Sequence, residues 1–165
     1  GNNTGDDCGL TTGMSNHLGN KSSLPNAVNY MSYRGIENFY GSMWETVDGI
    51  NIKNRKVFIN TKNNPATFAS NVYTGDYVDS GIILPVSGGE YIKDCKISPE
   101  YGILPSVVGG SNTTRYGDGI WSSPGGTVVY ISGSAGYSNF TGPSCLHGYH
   151  GSSNVDVSLG CGISC

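Results

Sequence analysis

In residues 35–47 the apolar side chains recur at intervals of three and four positions. They are Ile36, Phe39, Tyr40, Met43, Trp44 and Val47. This spacing places them on one face of an amphipathic helix, and the Asp48-Gly49 pair that follows is a strong turn signal. The pattern predicts a short helix that ends before Asp48. Because an aromatic stripe at helical spacing usually faces a core, we expect Phe39, Met43 and Trp44 to be buried and to have no ligand contact.

Downstream of this segment the patterns are typical of strands. Residues 50–62, "INIKNRKVFINTK", carry alternating apolar residues at Val57 and Ile59 and predict two strands around a Lys53-Asn54 turn. Pro85 is unsuited to the centre of a sheet. Further strand candidates are "SGIILPV", "YIKDCKI", "TVVYISG" and, last, "VDVSLGCGIS". Together with one or two short helices, these strands predict an α+β fold with small antiparallel sheets and long irregular loops.

The start of the chain differs from the rest. Residues 1–27 are rich in Gly, Asn, Thr and Ser with little hydrophobic periodicity, which predicts an irregular lead-in to one domain over residues 28–165. The chain has 165 residues, enough for a single core. Its 26 glycines and 7 prolines favour short strands and loops over a helical bundle. Its 36% hydrophobic residues argue against disorder.

Charge limits the classes of partner. The formal net charge is −3, and the basic residues form no block or stripe, so a nucleic-acid partner is not expected. No apolar run approaches the roughly 20 residues that span a bilayer, so membrane insertion is not expected either.

Two segments, taken together, resemble a known family. "YRGIENFYGSMWETVDGINI" (residues 33–52) resembles the helix-containing segment of C-type-lectin-fold proteins of phage tails, and it is similar to an element of the formylglycine-generating enzyme superfamily. Residues 113–164 resemble the closing half of the same fold, with the final strand entered at Ser158-Leu159-Gly160. The resemblance covers residues 28–165 and implies a C-type-lectin-like fold.

For function, the resemblance implies a non-enzymatic recognition domain of a phage tail fibre or tail-tip protein. Such a domain would bind a host-cell surface receptor, either a glycan or a protein, in the manner of the major tropism determinant class. The expected location is the virion or a prophage-encoded particle, and the alternative is an adhesin on a bacterial cell surface. A homo-oligomer, for example a trimer, is expected because multivalency makes weak sites useful.

An enzyme of the formylglycine-generating type is the alternative from another class. That chemistry needs two neighbouring cysteines to bind copper, and Cys145 has no second cysteine nearby in "GPSCLHGYH". His147 and His150 lack an acidic companion except Asp156, so a binding role is favoured over a metal site. We therefore predict no catalytic residue, no metal and no cofactor. The five cysteines are expected to be free thiols, with one bridge as the alternative.

The segment from Ser132 to Asn154 carries the candidate binding face. It sets aromatic and imidazole rings among Gly, Ser, Asn and Thr, which is the composition of a paratope. The alternative is that these rings fold back onto the domain. Residues 112–118 are expected to contribute a second loop, while Trp121 is expected to lie partly in the core. The predicted ligand-binding residues are Tyr116, Tyr137, Asn139, Phe140, His147, Tyr149 and His150.

Overall fold

The computed structural model of the protein describes residues 32–33, 36–37, 40–41, 43–62, 64–134, 137, 140–156 and 158–160. The predicted lead-in at 1–27, its boundary with the domain, Phe39 and Asn139 lie outside these residues. No α-helix occurs among the described residues, which are organised almost entirely in strands. The predicted α+β class and the C-type-lectin-like architecture are therefore wrong.

Eleven strands occur in the described part of the chain. In chain order they are β1 (Ser32–Tyr33), β2 (Ile36–Glu37), β3 (Trp44–Lys53), β4 (Lys56–Asn60), β5 (Tyr77–Ile83), β6 (Ser87–Ser98), β7 (Gly102–Val108), β8 (Gly119–Ser122), β9 (Val128–Ile131), β10 (Leu146–Gly148) and β11 (Leu159–Gly160). A single turn of 3-10 helix at Pro65–Thr67 lies between β4 and β5.

The strands form a nearly closed barrel. The order in the main sheet is β5-β4-β3-β9-β10-β8-β6-β7, and β11 pairs with β3 outside this path. The pairs β10–β8 and β11–β3 are parallel, and the other neighbouring pairs are antiparallel. The end strands β5 and β7 touch one another, so the sheet curls almost back onto itself. Strands β1 and β2 form a separate antiparallel pair.

The predicted helix over residues 35–47 is wrong because its residues contribute to strands. Ile36 lies in β2, and Trp44 to Val47 begin β3, where β-branched Thr46 and Val47 favour an extended backbone. The pairing of β3 with β9 shifts register between Val47 and Asn51, and Gly49 has a φ of 78°. The Asp48-Gly49 pair is therefore part of a bulge inside one long strand, where a left-handed glycine is tolerated.

The predicted hairpin after this bulge is confirmed, with its turn one residue later. Asn54 and Arg55 join β3 to β4 and have φ angles of 49° and 67°. Two positive φ angles match the right-handed twist of the flanking strands in a two-residue hairpin turn. Arg55 donates from Nη1 to the carbonyl oxygen of Leu84 over 2.7 Å, which holds the turn against the end of β5.

The other strand candidates also lie in strands. β5, β6 and β9 include residues 80–83, 91–97 and 128–131 of the predicted segments. Pro85 lies between β5 and β6, in agreement with its expected absence from a central strand. Of the predicted last strand, the structure describes Leu159–Gly160 as β11.

Two clusters of buried side chains cover opposite faces of the same strands. The interior cluster is aliphatic and consists of Ile52, Val57, Ile82, Leu84, Ile92, Leu104, Ile120, Val129 and Leu146. The outer cluster is mainly aromatic and consists of Trp44, Trp121, Val128, Tyr130 and Cys145. Since successive residues of a strand point to opposite faces, Val129 faces the barrel interior while Val128 and Tyr130 face outward. The outer cluster gives the barrel a second core on the outside of β9, β10 and β8.

Candidate functional site

The outer cluster is the base of an aromatic site. Trp44 lies edge-on to Trp121, with 5.7 Å between ring centroids and 83° between planes. His147 packs 5.0 Å from Trp44, 6.2 Å from Trp121 and 5.7 Å from Tyr130. Trp44 and Tyr130 are buried at 3% and 4% exposure. The expected burial of Trp44 is confirmed, on a strand rather than on a helix.

Strand alternation explains why these rings share one face. Ile120 and Leu146 belong to the interior cluster, and each is followed by a residue that points the other way, Trp121 and His147. The register pairs Trp121 with His147 across the parallel β8–β10 ladder, and pairs His147 with Tyr130 across β10–β9. Three adjacent strands therefore present one ring each on the outer face.

Exposed rings lie above this base. Tyr137 is 39% exposed and packs 4.6 Å from Trp121 and 5.9 Å from Trp44. Tyr149 is 46% exposed, and its ring lies 5.4 Å from that of the exposed His150. We call Trp44, Trp121, Tyr137, His147, Tyr149 and His150 the aromatic surface. A group of this kind buries part of every ring and leaves the outer edges open to a partner.

The loop that carries Tyr149 and His150 is fixed by its backbone. Thr127 N donates to His150 O over 3.0 Å, and Ser123 Oγ donates to Tyr149 O over 3.1 Å. The loop approaches the β8–β9 turn so closely that a Cβ at Gly126 would lie 1.9 Å from Gly148 O. Only glycine fits at position 126. The two exposed rings are therefore presented by a segment that is already ordered.

His147 is the buried titratable group of the site. It is 6% exposed, and its Nδ1 has no hydrogen-bond partner among the described residues. Burial, with a smaller contribution from neighbouring His150, lowers the pKa of His147 to about 4. The ring of His150 is stacked on it at 4.9 Å. His147 is thus neutral at physiological pH and supports the rings around it, and His150 is the imidazole that reaches solvent.

Of the remaining predicted site residues, one borders the aromatic surface and another lies away from it. Phe140 is half-buried and stacks on Tyr91 at 4.2 Å, next to Trp121 at 5.8 Å, so it borders the aromatic surface. Tyr116 packs instead against the interior cluster, with the Arg115 guanidinium 5.5 Å from its ring. Asn139 lies outside the described residues. The structure thus brings Tyr137, Phe140, His147, Tyr149 and His150 together and separates Tyr116 from them.

The cysteines in the described part of the chain are Cys95 and Cys145, and both are free thiols. Burial raises the pKa of Cys145 to about 12, with the negative charge of Asp118 adding to the effect. Burial, Asp94 and Asp118 together raise the pKa of Cys95 to about 11. Both thiols are protonated at neutral pH, which disfavours nucleophilic or metal-binding chemistry. Within the described ranges, no group of three or more His, Cys, Asp or Glu is placed to hold a metal ion.

A second recess, which the sequence patterns did not reveal, lies on the same outer face. A cavity of about 180 Å³ opens between the bulge of β3 and residues 65–70. Its lining includes Thr46, Asp48, Gly49, Phe68, Ser70 and Val128. The Asp-Gly signal was interpreted as the end of a helix, and nothing in the local sequence indicated that residues 65–70 would cross over it.

Comparisons with protein-family models, with curated proteins and with solved structures found no match for this chain. Across the residues that the structure covers, no helix has the length and apolar character needed to cross a membrane.

Proposed function

We propose that this protein is a non-enzymatic recognition domain that binds a host-cell surface receptor through the aromatic surface. The observation that carries the proposal is the arrangement of Tyr137, Tyr149 and His150, which are exposed above a buried base of Trp44, Trp121 and His147. Solvent-exposed aromatic side chains that form a contiguous group are a feature of binding sites.

The physical chemistry of the surface suits recognition. Tyrosine offers a large contact area with few rotatable bonds, so little conformational entropy is lost when a partner covers it. The buried rings below support the exposed ones, and the hydrogen bonds that Thr127 N and Ser123 Oγ donate to the carbonyl oxygens of His150 and Tyr149 fix the loop. Such preorganisation lowers the cost of binding. We expect a few rings to contribute most of the affinity, as in other interfaces.

An oxidase of the formylglycine-generating type is not favoured by the environment of Cys145. That chemistry needs a pair of accessible thiolates, whereas Cys145 is 0% exposed and its pKa is raised to about 12. The described face around it offers rings and hydroxyl groups rather than paired thiols. These features support binding over catalysis.

We place the domain in a phage tail fibre or tail tip, or in a prophage-encoded particle, with an adhesin on a bacterial surface as the alternative. The support is the sequence resemblance of residues 113–164 to phage-tail proteins and the paratope-like composition of residues 132–154. The resemblance of residues 33–52 adds no support, because the helix that it implied is absent there. The proposal includes a homo-oligomer, because several weak sites on one particle raise the effective affinity for a repetitive cell surface. Light scattering on the purified chain tests the oligomer, and a monomer at all concentrations would contradict it.

The binding proposal is tested by substitution of the exposed rings. We expect Tyr149→Ala and Tyr137→Ala each to weaken binding of the fluorescently labelled protein to a panel of bacterial strains by about 2 kcal/mol, roughly 30-fold. Each should change the free energy of unfolding much less, because the tyrosines are 46% and 39% exposed. Cell binding by flow cytometry and thermal melting are measured on the same samples.

Val78→Ala is the matched control. Val78 is 51% exposed and lies on β5, three positions from β9 in the strand order. Its truncation should affect neither binding nor melting. Full binding by both tyrosine variants, with melting temperatures equal to wild type, would contradict the proposal.

A further inference from the structure

The cavity beside the bulge of β3 lies between two walls. One wall is the outer face of β3 from Thr46 to Asn51, and the other is the segment at residues 65–70. At the bulge the Phe68 ring rests against Gly49, since a Cβ there would lie 3.1 Å from two ring atoms. The cavity has a volume of about 180 Å³.

The second wall is held in place by buried side-chain amides. Asn51 donates from Nδ2 to Ala69 O over 2.8 Å and to Val72 O over 2.9 Å. Asn60 donates to Thr67 O over 3.2 Å, and the Tyr77 hydroxyl accepts from Ala69 N over 2.9 Å. Hydrogen bonds inside the protein therefore hold residues 67–72 beside β3.

The polar side chains at the opening of the cavity, unlike Asn51 and Asn60, are not hydrogen-bonded within the described protein. Thr46, Asp48 and Ser70 are exposed and line the cavity. Among the residues that the structure covers, none of these three side chains has a hydrogen-bond or ion-pair partner. They leave one carboxylate and two hydroxyl groups for a ligand, next to the half-buried ring of Phe68.

The geometry points to a binding site for one neutral sugar ring in this cavity. A carboxylate accepts hydrogen bonds from two hydroxyl groups of one ligand, and charge-assisted bonds of this kind are strong. The lining is mostly polar, as a ligand rich in hydroxyl groups requires, and the half-buried Phe68 ring contributes to its small apolar part. The lining contains no Lys, Arg or His, which disfavours an anion. The size of the cavity suits a single monosaccharide unit rather than a peptide segment.

The cavity borders the base of the aromatic surface, since Tyr130 packs 5.7 Å from His147. Thr46 pairs with Tyr130 across β3 and β9, and Val128, which lines the cavity, faces the same way as Tyr130. Two residues along a strand span roughly 6.6 Å. Asn71 Nδ2 also donates to Ser152 Oγ over 2.9 Å, which connects the loop that follows the cavity wall to the loop of Tyr149. This assignment of the receptor rests on the proposed function. The receptor is an oligosaccharide that places one sugar unit in the cavity and extends over the aromatic surface.

The test is a titration of the isotope-labelled protein with methyl glycosides of glucose, galactose, mannose and N-acetylglucosamine, followed by backbone amide chemical shifts. At least one glycoside should shift amides in residues 46–51 and 65–70. Asp48→Asn should weaken that binding by about tenfold or more, because a bond to a charged acceptor is lost. Thr46→Val removes one hydroxyl at nearly constant volume and should have a smaller effect in the same direction.

Glu90→Gln is the matched control, since Glu90 is an exposed carboxylate on β6 without a side-chain partner among the described residues. It should bind the glycoside as wild type does. The site is overturned if no glycoside shifts these amides, if Asp48→Asn binds as tightly as wild type, or if choline chloride shifts them and the glycosides do not.

Tyr149→Ala separates this inference from the proposed function. It should retain the methyl glycoside in the cavity and lose cell binding. If Tyr149→Ala loses cell binding but no glycoside occupies the cavity, the recognition function stands and the sugar site is wrong. If a glycoside occupies the cavity and cell binding is indifferent to Tyr137 and Tyr149, the sugar site stands and the aromatic surface is not the receptor site.

Discussion

The interior cluster and the outer cluster are two cores built on opposite faces of the same strands, and they differ in chemistry and in burial. The interior is aliphatic, and residues such as Ile52 and Ile120 are 0% exposed. The outer cluster is mainly aromatic and is the base of the aromatic surface, along which exposure rises from 3% at Trp44 to 46% at Tyr149. The interior cluster is buried throughout, whereas the aromatic surface is buried only at its base.

This difference assigns the stability of the fold and the binding of a partner to opposite faces of the same strands. Aliphatic side chains fill the barrel and hold the strands, so the loops around the outer face contribute to a binding site without carrying the main stability. Rings suit the outer position because they bury one face against a neighbour and present an edge to solvent. Trp44 and His147 contribute both to stability and to binding, since they are buried and also support the exposed rings.

The largest expected effect is the loss of Trp44. Trp44→Ala removes a ring that contacts Trp121, Tyr137 and His147. We expect it to lower the free energy of unfolding by about 3–5 kcal/mol, as measured by urea denaturation, and to lose binding together with the fold. Trp44→Phe should recover much of the stability. A Trp44→Ala protein with wild-type melting and no binding would show that the base belongs to the ligand site and is not a core.

The second effect is a dependence of stability on pH that comes from His147. Its folded-state pKa of about 4 lies below the unfolded value of about 6.5, so between these limits the unfolded chain binds a proton that the native state does not. The contribution of neutral His147 to the free energy of unfolding is complete above about pH 6.5. It is lost as the pH falls toward 4, by up to about 3 kcal/mol.

Urea denaturation at several pH values between 7 and 4 measures this loss. His147→Phe lacks the titrating group, and subtraction of its profile cancels the carboxylates that titrate in both proteins. The difference should slope downward from pH 6.5 to pH 4. A flat difference would show that the imidazole is solvated and that the outer cluster is open at its base.

The smallest expected effect on stability comes from a substitution in the interior cluster, and it tests whether the interior is independent of binding. Ile52→Val removes one methylene group from a side chain at 0% exposure, and we expect a loss of about 0.5–1.5 kcal/mol in the free energy of unfolding. Binding to cells and to methyl glycosides should be unchanged, because Ile52 faces the barrel interior. A reduction in binding at unchanged melting temperature would contradict the separation of the two faces.

The sequence predicted the strands better than their arrangement. The β3–β4 hairpin was found because apolar residues alternate at Val57 and Ile59 after the predicted Lys53-Asn54 turn, and the observed turn lies one residue later. The helix prediction failed because Trp44 and Val47 happen to be three apart, while the bulge at Gly49 interrupts the alternation that would have indicated a strand. Pairing with the distant β9 and β11 then determines the conformation, and such long-range pairing overrides local periodicity.

The candidate site was predicted in part. Composition identified the rings of Tyr137, Tyr149 and His150, but it did not separate exposed from buried rings. His147 is buried because Leu146 before it faces the interior and both faces of β10 are covered. Asp48 and Phe68 were missed because the cavity exists only where the bulge meets residues 65–70, and this meeting is a property of the tertiary structure.

The pairing of β3 also has a consequence for how the chain is made. One edge of β3 pairs with β9, and the first two residues of its other edge pair with β11. Val47 therefore cannot pair until Val129 has been synthesised, and Trp44 cannot pair until Leu159 has been synthesised. During synthesis the β3–β4 hairpin emerges early with an unpaired edge, and such edges are the places where chains associate wrongly. Closure depends on contacts between distant parts of the chain, which slows folding. Nascent chains that stop before β9 would therefore retain the hairpin and be prone to aggregation.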